Sequence, residues 1–463
     1  MRRALILTLS VFGLPAAASS AAQPPVLRQL LVQAPAVTAE LLCEKKTAAP
    51  RPAAAPDPDP LEVPSGDLVA SMIAEALPAP QAAGPAPLPR FKPAGAGLRI
   101  AIWGDSHLAA GFFSDELRKQ LKFPLEASPN LLLPANMGRA GVRHPIRQSC
   151  VSTHWKYEPG YLGGESAAAP GPGLMSMSSE QAGASLAWDL RQPGQWAGYE
   201  RVRILYQQTD TPVTVAVAVN GEPDKEVVLD GAAGPAVLEL ASEGQITQVR
   251  LRLVEGRLRF HGLELASSQA KPVQLDVFGY PGATVAAWKH ARLDYLSSWF
   301  TARDYGLVVL EFGTNEGNVK PFDAAAYRAT LVDSVRAMRG LFPQAACILV
   351  APGDRGILVR RSANLGKTAK PRKGGKAGVD LLQYSRIHAE IGRIQAEVAR
   401  EAGCGVWSML DAMGGPGSAY QWARQSPALM SRDLIHFTVA GYQRLARKFA
   451  EDTGLGAQPA LAR

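Results

Sequence analysis

The chain has 463 residues, 47% hydrophobic and 19% charged, with a formal net charge of +8. That length and apolar content predict a globular body of two or three domains. The basic balance favours anionic surroundings, but the charges are scattered and no RNA- or DNA-binding motif accompanies them, which argues against nucleic acid as a partner.

The chain opens "MRRALILTLSVFGLPAAASSAAQPP". Arg2 and Arg3 precede a short apolar run, Ala4 to Leu14, and small residues follow. This is the layout of a secretory signal peptide over residues 1–22, with cleavage after Ala18 or Ala22. The run is short for a membrane span, and no later apolar run is long enough for one. A periplasmic location with no stable membrane span after cleavage is therefore expected. Residues 23–97 are rich in Ala and Pro ("AAPRPAAAPDPDPLEVP") and read as a semi-rigid linker, interrupted by a short helix near Asp67 to Leu77.

Ordered α/β patterning begins at residue 98. "LRIAIWGD" lacks polar alternation and predicts a buried parallel strand, and "SHLAAGFFSDELRKQL" predicts a helix. From 155 to 270 the pattern changes to short alternating strands such as "VTVAVAVNG" and "QVRLRLVEG", punctuated by Gly, Asp, Asn and Pro. That predicts an inserted β-sandwich. Within it Trp188, Trp196, Tyr199 and Tyr206 are candidates for stacking on sugar rings, although sandwich core is favoured for each alone. From 271 to 463 strands and helices alternate again: "VQLDVFGYPG", "ATVAAWKHARLDYLSSWF", "YGLVVLEFGTNE", a long helix, "CILVAPGD", another long helix, "VWSML" and a closing helix. Residues 98–154 and 271–463 together predict one doubly wound parallel sheet.

Cys43, Cys150, Cys347 and Cys404 are not at metal-ligand spacing,. Cys347 begins one strand and Cys404 just precedes another. If these strands are parallel neighbours, a Cys347–Cys404 disulfide is expected; two buried thiols are the alternative. The segment 355–376 is strongly basic. It reads as a loop that either steers an anionic polymer or is merely solvated.

Ligands of an open parallel sheet bind beyond the carboxyl ends of its strands. Four such ends carry reactive or turn-forming residues. Ser106 follows "IAIWGD" at a helix start, where Asp105 or Ser106 would otherwise be an ordinary cap. Gly282 lies in "GYPGAT" and Asn315 in "EFGTNE"; each alone is common turn chemistry. Asp433 and His436 lie in "RDLIHF", at a spacing that lets a carboxylate hold one imidazole nitrogen while the other faces a serine.

In this order, "GDSH", "GYPGAT", "GTNE" and "DLIH" resemble the blocks of the SGNH hydrolases, the GDSL esterase/lipase superfamily. The resemblance implies a flavodoxin-like three-layer fold, here interrupted by a jelly-roll-like β domain. It makes Ser106 the nucleophile, His436 the base and Asp433 its orienting acid. The N–H groups of Ser106 and Gly282 and the amide of Asn315 would form the oxyanion hole. No cofactor and no metal are implied. "GDSH" is similar to bacterial-envelope O-acetylesterases, and the insert resembles the carbohydrate-binding-module-like domain of peptidoglycan O-acetylesterases. The expected function is an exported esterase with O-acetylated cell-wall glycan as partner. An O-acetyltransferase with the same triad, and a non-catalytic glycan-binding protein, are the alternatives. The absence of a long apolar lid disfavours a lipase.

Overall fold

The computed structural model describes residues 23–43 (apart from 34, 36 and 38), 61–76, 98–122, 130–192, 198–267, 274–360 and 379–457. The expected signal peptide at 1–22 lies outside them. At the centre is a five-stranded parallel sheet. Its strands are β1 (Arg99–Gly104), β2 (Gln274–Gly279), β3 (Leu307–Glu311), β4 (Ala346–Ala351) and β5 (Gly405–Ser408), in the order β2-β1-β3-β4-β5. The order reverses at β1/β3, the switch point where ligands gather in such sheets.

Alternation along each strand creates two cores. Ala101, Trp103, Val308, Leu310, Cys347 and Leu349 share one with Trp288, Leu331, Ile391 and Val398. Ile100, Ile102, Leu307, Val309, Ile348 and Val350 share the other with Phe113, Leu117, Leu445 and Phe449. Helices α1 (Ser106–Ala109), α2 (Phe112–Gln120) and α5 (Val439–Asp452) lie on the second face, and α3 (Ala324–Leu341) and α4 (Gln383–Ala402) on the first. These are the three layers. Two expected single helices are each broken. Gly111, at φ 76°, separates α1 from α2, and the segment after β2 forms Ala286–His290 and Leu293–Ser297.

The β body has seven-stranded and five-stranded sheets sharing one core. It is larger than residues 155–270. Leu131–Pro134 pairs antiparallel with Leu258–Ala266, and Gln148–Val151 with Ser185–Asp189. These stretches therefore leave the α/β body before residue 154. The linker expectation also needs correcting. Val26–Val32 runs parallel to Gly234–Ile246, with Leu30 opposite Leu240, and covers an edge that would otherwise expose unpaired backbone groups,. Cys43 is bridged to Cys150. A helix spans Gly66–Ala76, and Leu61–Glu62 pairs with Val359–Arg360. The helix is the one expected near Asp67 to Leu77; the strands and the bridge were hidden by surrounding proline because their partners are distant in sequence.

Cys347 and Cys404 are bridged across the neighbouring strands β4 and β5, with Cα atoms 4.8 Å apart. Trp188, Tyr199 and Tyr206 are at most 1% exposed and fill the core of the β body, so they are not sugar-stacking rings. Trp196 lies outside the described residues.

The two bodies are locked together by buried polar contacts. Asp276 of β2 accepts from Leu132 N–H at 2.9 Å, from Arg303 at 2.7 Å and from the Tyr305 hydroxyl at 2.6 Å. The Trp103 indole donates to Pro172 O at 3.0 Å. Asn136 Nδ2 donates to Gly279 O, at the end of β2, at 2.6 Å.

Candidate active site

No side chain fits at Gly104, the last residue of β1. A Cβ would lie 2.4 Å from Glu311 Oε2 and 2.7 Å from Glu311 O. The chain then turns into α1, capped by Asp105, whose Oδ1 accepts from His107 N–H at 2.9 Å. The capping reading of Asp105 thus holds. It leaves Ser106 as the first helical residue, with its N–H unpaired among the described residues,.

Ser106 Oγ is 2.9 Å from His436 Nε2, and His436 Nδ1 is 2.7 Å from Asp433 Oδ2. The 433–436 turn is built for this. Asp433 Oδ1 accepts from the N–H groups of Ile435 and His436 at 2.9 and 3.0 Å, while Leu434 takes φ 56°. Ser431 N–H donates to His436 O at 2.7 Å, and Thr438 caps α5 immediately afterwards. The His436 and Asp433 side chains remain 39% and 46% exposed, so the site is open to solvent.

Burial works to raise the Asp433 pKa, but the hydrogen bonds from His436 and Ile435 outweigh it and hold the carboxyl well below its usual range. The same contact raises the pKa of His436,. Beneath lies His107, buried, its Nδ1 3.2 Å from the Tyr442 hydroxyl and its pKa lowered to about 3 by burial. It is a neutral packing group.

Gly282 sits beyond β2 at φ 86°, a conformation side chains disfavour,. Its N–H, like that of Ser106, is unpaired among the described residues. Asn315 follows β3. Its Nδ2 donates to Asp105 Oδ2 at 3.2 Å and to Ala283 O at 2.8 Å. Both amide hydrogens are thus spent on the loops that carry Ser106 and Gly282. The next residue ties the same loops. Glu316 accepts from Val285 N–H at 2.9 Å and Gly313 N–H at 3.1 Å, and burial of its carboxyl raises its pKa to about 7. The fourth residue of "GTNE" is therefore structural, a role the motif alone did not reveal.

Asp105 is fully buried, with its pKa raised to about 6 by desolvation. Glu311 beside it is held well above the usual carboxyl range for the same reason. Asp105 N–H donates to Glu311 Oε2 at 3.1 Å.

The structure brings Ser106, Asp433 and His436 together and places Gly282 and Asn315 beyond the carboxyl ends of β2 and β3, while Cys347 and Cys404 lie at the opposite end of the sheet. Of the basic segment, 361–378 lies outside the described residues. Arg355, within it by sequence, donates to Asn318 Oδ1 and stacks 3.9 Å over the Tyr384 ring. Among the described residues no cluster of three or more His, Cys, Asp or Glu side chains is arranged to hold a metal ion. No described helix is long and apolar enough to cross a membrane.

Residues 254–444 match the model of the GDSL-like lipase/acylhydrolase family. A solved peptidoglycan O-acetylesterase is 23% identical to this chain, with a TM-score of 0.56 over 77% of this chain and 91% of that one. A family two carbohydrate esterase from Cellvibrio japonicus is 12% identical, with a TM-score of 0.24 over 66% and 98%. No curated protein matches the sequence.

Proposed function

We propose that this SGNH/GDSL-type carboxylic ester hydrolase is exported and removes O-acetyl groups from a cell-envelope polysaccharide, peptidoglycan first, by an acyl-enzyme mechanism. The observation that carries the mechanism is the continuous hydrogen-bonded line Asp433–His436–Ser106, at 2.7 and 2.9 Å. The substrate class is taken from the peptidoglycan O-acetylesterase whose fold the chain shares. Two disulfides support an oxidising compartment,.

Neutral His436 accepts the Ser106 proton as Oγ attacks the acetyl carbonyl. The ionised Asp433 then faces the imidazolium and offsets its charge. Charge builds on the carbonyl oxygen, and the N–H groups of Ser106 and Gly282, unpaired among the described residues, are the donors available to it,. Asn315 joins them by giving up one of its two present acceptors, or supports them by holding both loops in register. As the ester C–O bond breaks, the imidazolium gives its proton to the departing sugar oxygen, which leaves as the hydroxyl, with acetyl left on Ser106. Water, deprotonated by His436, then releases acetate.

The test is acetate release from O-acetylated peptidoglycan, followed by mass spectrometry, with wild type and Ser106→Ala. Release by wild type alone is expected. Hydrolysis of p-nitrophenyl acetate without any release from the polymer would overturn the substrate assignment while leaving the mechanism standing.

A further inference from the structure

Near the Gly282 loop the β body places a cation that has no counter-ion among the described residues. Arg139 lies in the tight loop after Leu131–Pro134 and is half-buried. Its guanidinium sits 5.0 Å from the ring centroid of Tyr280 and 5.4 Å from that of Tyr157. Tyr280 belongs to the α/β body, and its N–H is bonded to Gly104 O at 3.1 Å. Tyr157 belongs to the β body, and its hydroxyl donates to Met137 O at 2.6 Å. The guanidinium is therefore oriented by a ring from each body. Neither a carboxylate nor any other acceptor takes a hydrogen bond from this side chain among the described residues.

That arrangement is costly unless something completes it. A partly desolvated guanidinium loses hydration, and two ring faces return only part of it. Its planar fork of N–H donors is suited to a carboxylate taken bidentately. The position adds direction. Tyr161, whose ring is 6.2 Å from that of Tyr280, brings its hydroxyl to 3.7 Å from where a Gly282 Cβ would stand. Arg139, Tyr280 and Tyr161 thus line the approach to the oxyanion loop from the side of the β body.

The geometry points to Arg139 as the binding residue for a carboxylate on the sugar next to, or bearing, the acetyl ester, with Tyr161 and Tyr280 flanking that sugar. This rests on the acetylated-glycan reading above and narrows it to acidic glycans. It also gives the β body a direct part in substrate choice.

The experiment uses the full chain and a matched pair of probes: O-acetylated muramyl glycan strands freed of peptide, with their lactyl carboxylates free, and the same strands with those carboxylates capped as methylamides. Wild type is expected to prefer the free-carboxylate strands by about tenfold in kcat/KM, the range of a charge-assisted hydrogen bond. Arg139→Gln should bring that ratio close to one, and Arg139→Lys should restore part of it. A wild-type ratio near one, or an Arg139→Gln ratio equal to wild type, overturns the inference and leaves the esterase reading intact. If neither probe releases acetate, the esterase reading fails, and calorimetric binding of the same two probes decides the role of Arg139. Tighter binding of the free-carboxylate strands that is lost in Arg139→Gln supports it, and equal binding overturns it.

Discussion

Asn315 Nδ2 reaches across the switch point of the sheet to Asp105 Oδ2, 3.2 Å away, and so couples the end of β3 to the residue before the nucleophile. Its other hydrogen bond, to Ala283 O at 2.8 Å, couples the same side chain to the Gly282 loop. Asn315→Ala removes both ties and an amide suited to the oxyanion. We expect kcat for acetyl esters to fall by about 100-fold or more with a smaller change in KM. Steady-state kinetics on p-nitrophenyl acetate checks this; a change confined to KM would make Asn315 a binding group only.

Ser106→Ala and, separately, His436→Ala should each lower ester turnover by at least about 1000-fold while circular dichroism and thermal melting stay close to wild type. Both side chains are at the surface end of the sheet, and neither packs in its cores. Near-normal turnover by folded Ser106→Ala would remove it as nucleophile.

The pH profile follows from His436. The base must be neutral, and contact with Asp433 raises its pKa above the ordinary histidine value. Activity should therefore be low in acid and rise with pH through a midpoint above about 6.5. Asp433 stays ionised throughout that range. Asp433→Asn removes the raising contact, so the midpoint of the residual activity should move down. A midpoint that stays in place would show that Asp433 does not act through His436.

Gly104→Ala tests the close approach beneath the nucleophile. The added methyl would meet Glu311 Oε2 at 2.4 Å and its backbone oxygen at 2.7 Å. The backbone contact cannot rotate away, so β1 and β3 must separate. We expect a loss of about 1–3 kcal/mol in stability together with lost activity. Urea unfolding measures the first, and an unchanged midpoint would contradict the geometry.

The bridge between Cys43 and Cys150 spans 107 residues and ties the N-terminal segment to the β body. Cys43→Ser should lower stability by about 2–4 kcal/mol and expose Val26–Val32 to proteolysis. The Cys347–Cys404 bridge adds a simpler check: denatured, unreduced protein should contain no reactive thiol. Titration of the Cys43→Ser variant should then find the single thiol of Cys150.

Local sequence determined the parallel sheet, its flanking helices and the site positions. Apolar runs such as Arg99–Gly104 and Leu307–Glu311 report burial on both faces, and the residues following each strand are carried to one edge by chain direction alone. Hence the strand ends that carry Ser106, Gly282, Asn315 and the Asp433–His436 turn could be placed together before any fold was seen, their roles came from the resemblance of the ordered motifs to the SGNH hydrolases, and Cys347 could be matched with Cys404. Tertiary structure decided what depends on distant partners. Val26–Val32 becomes a strand only because Gly234–Ile246 offers an open edge, and Cys43 meets Cys150 across 107 residues of sequence. Leu131–Pro134 joins the β body through Leu258–Ala266, which shifts the body's boundary. Trp188, Tyr199 and Tyr206 have the composition of a sugar platform, but the facing sheet covers them. Arg139 carries no local signal, and its lack of a counter-ion among the described residues is visible only where Tyr157 and Tyr280, one from each body, meet around it. Periodicity records which way a side chain faces within its own segment; what lies opposite is set by how segments far apart in sequence pack.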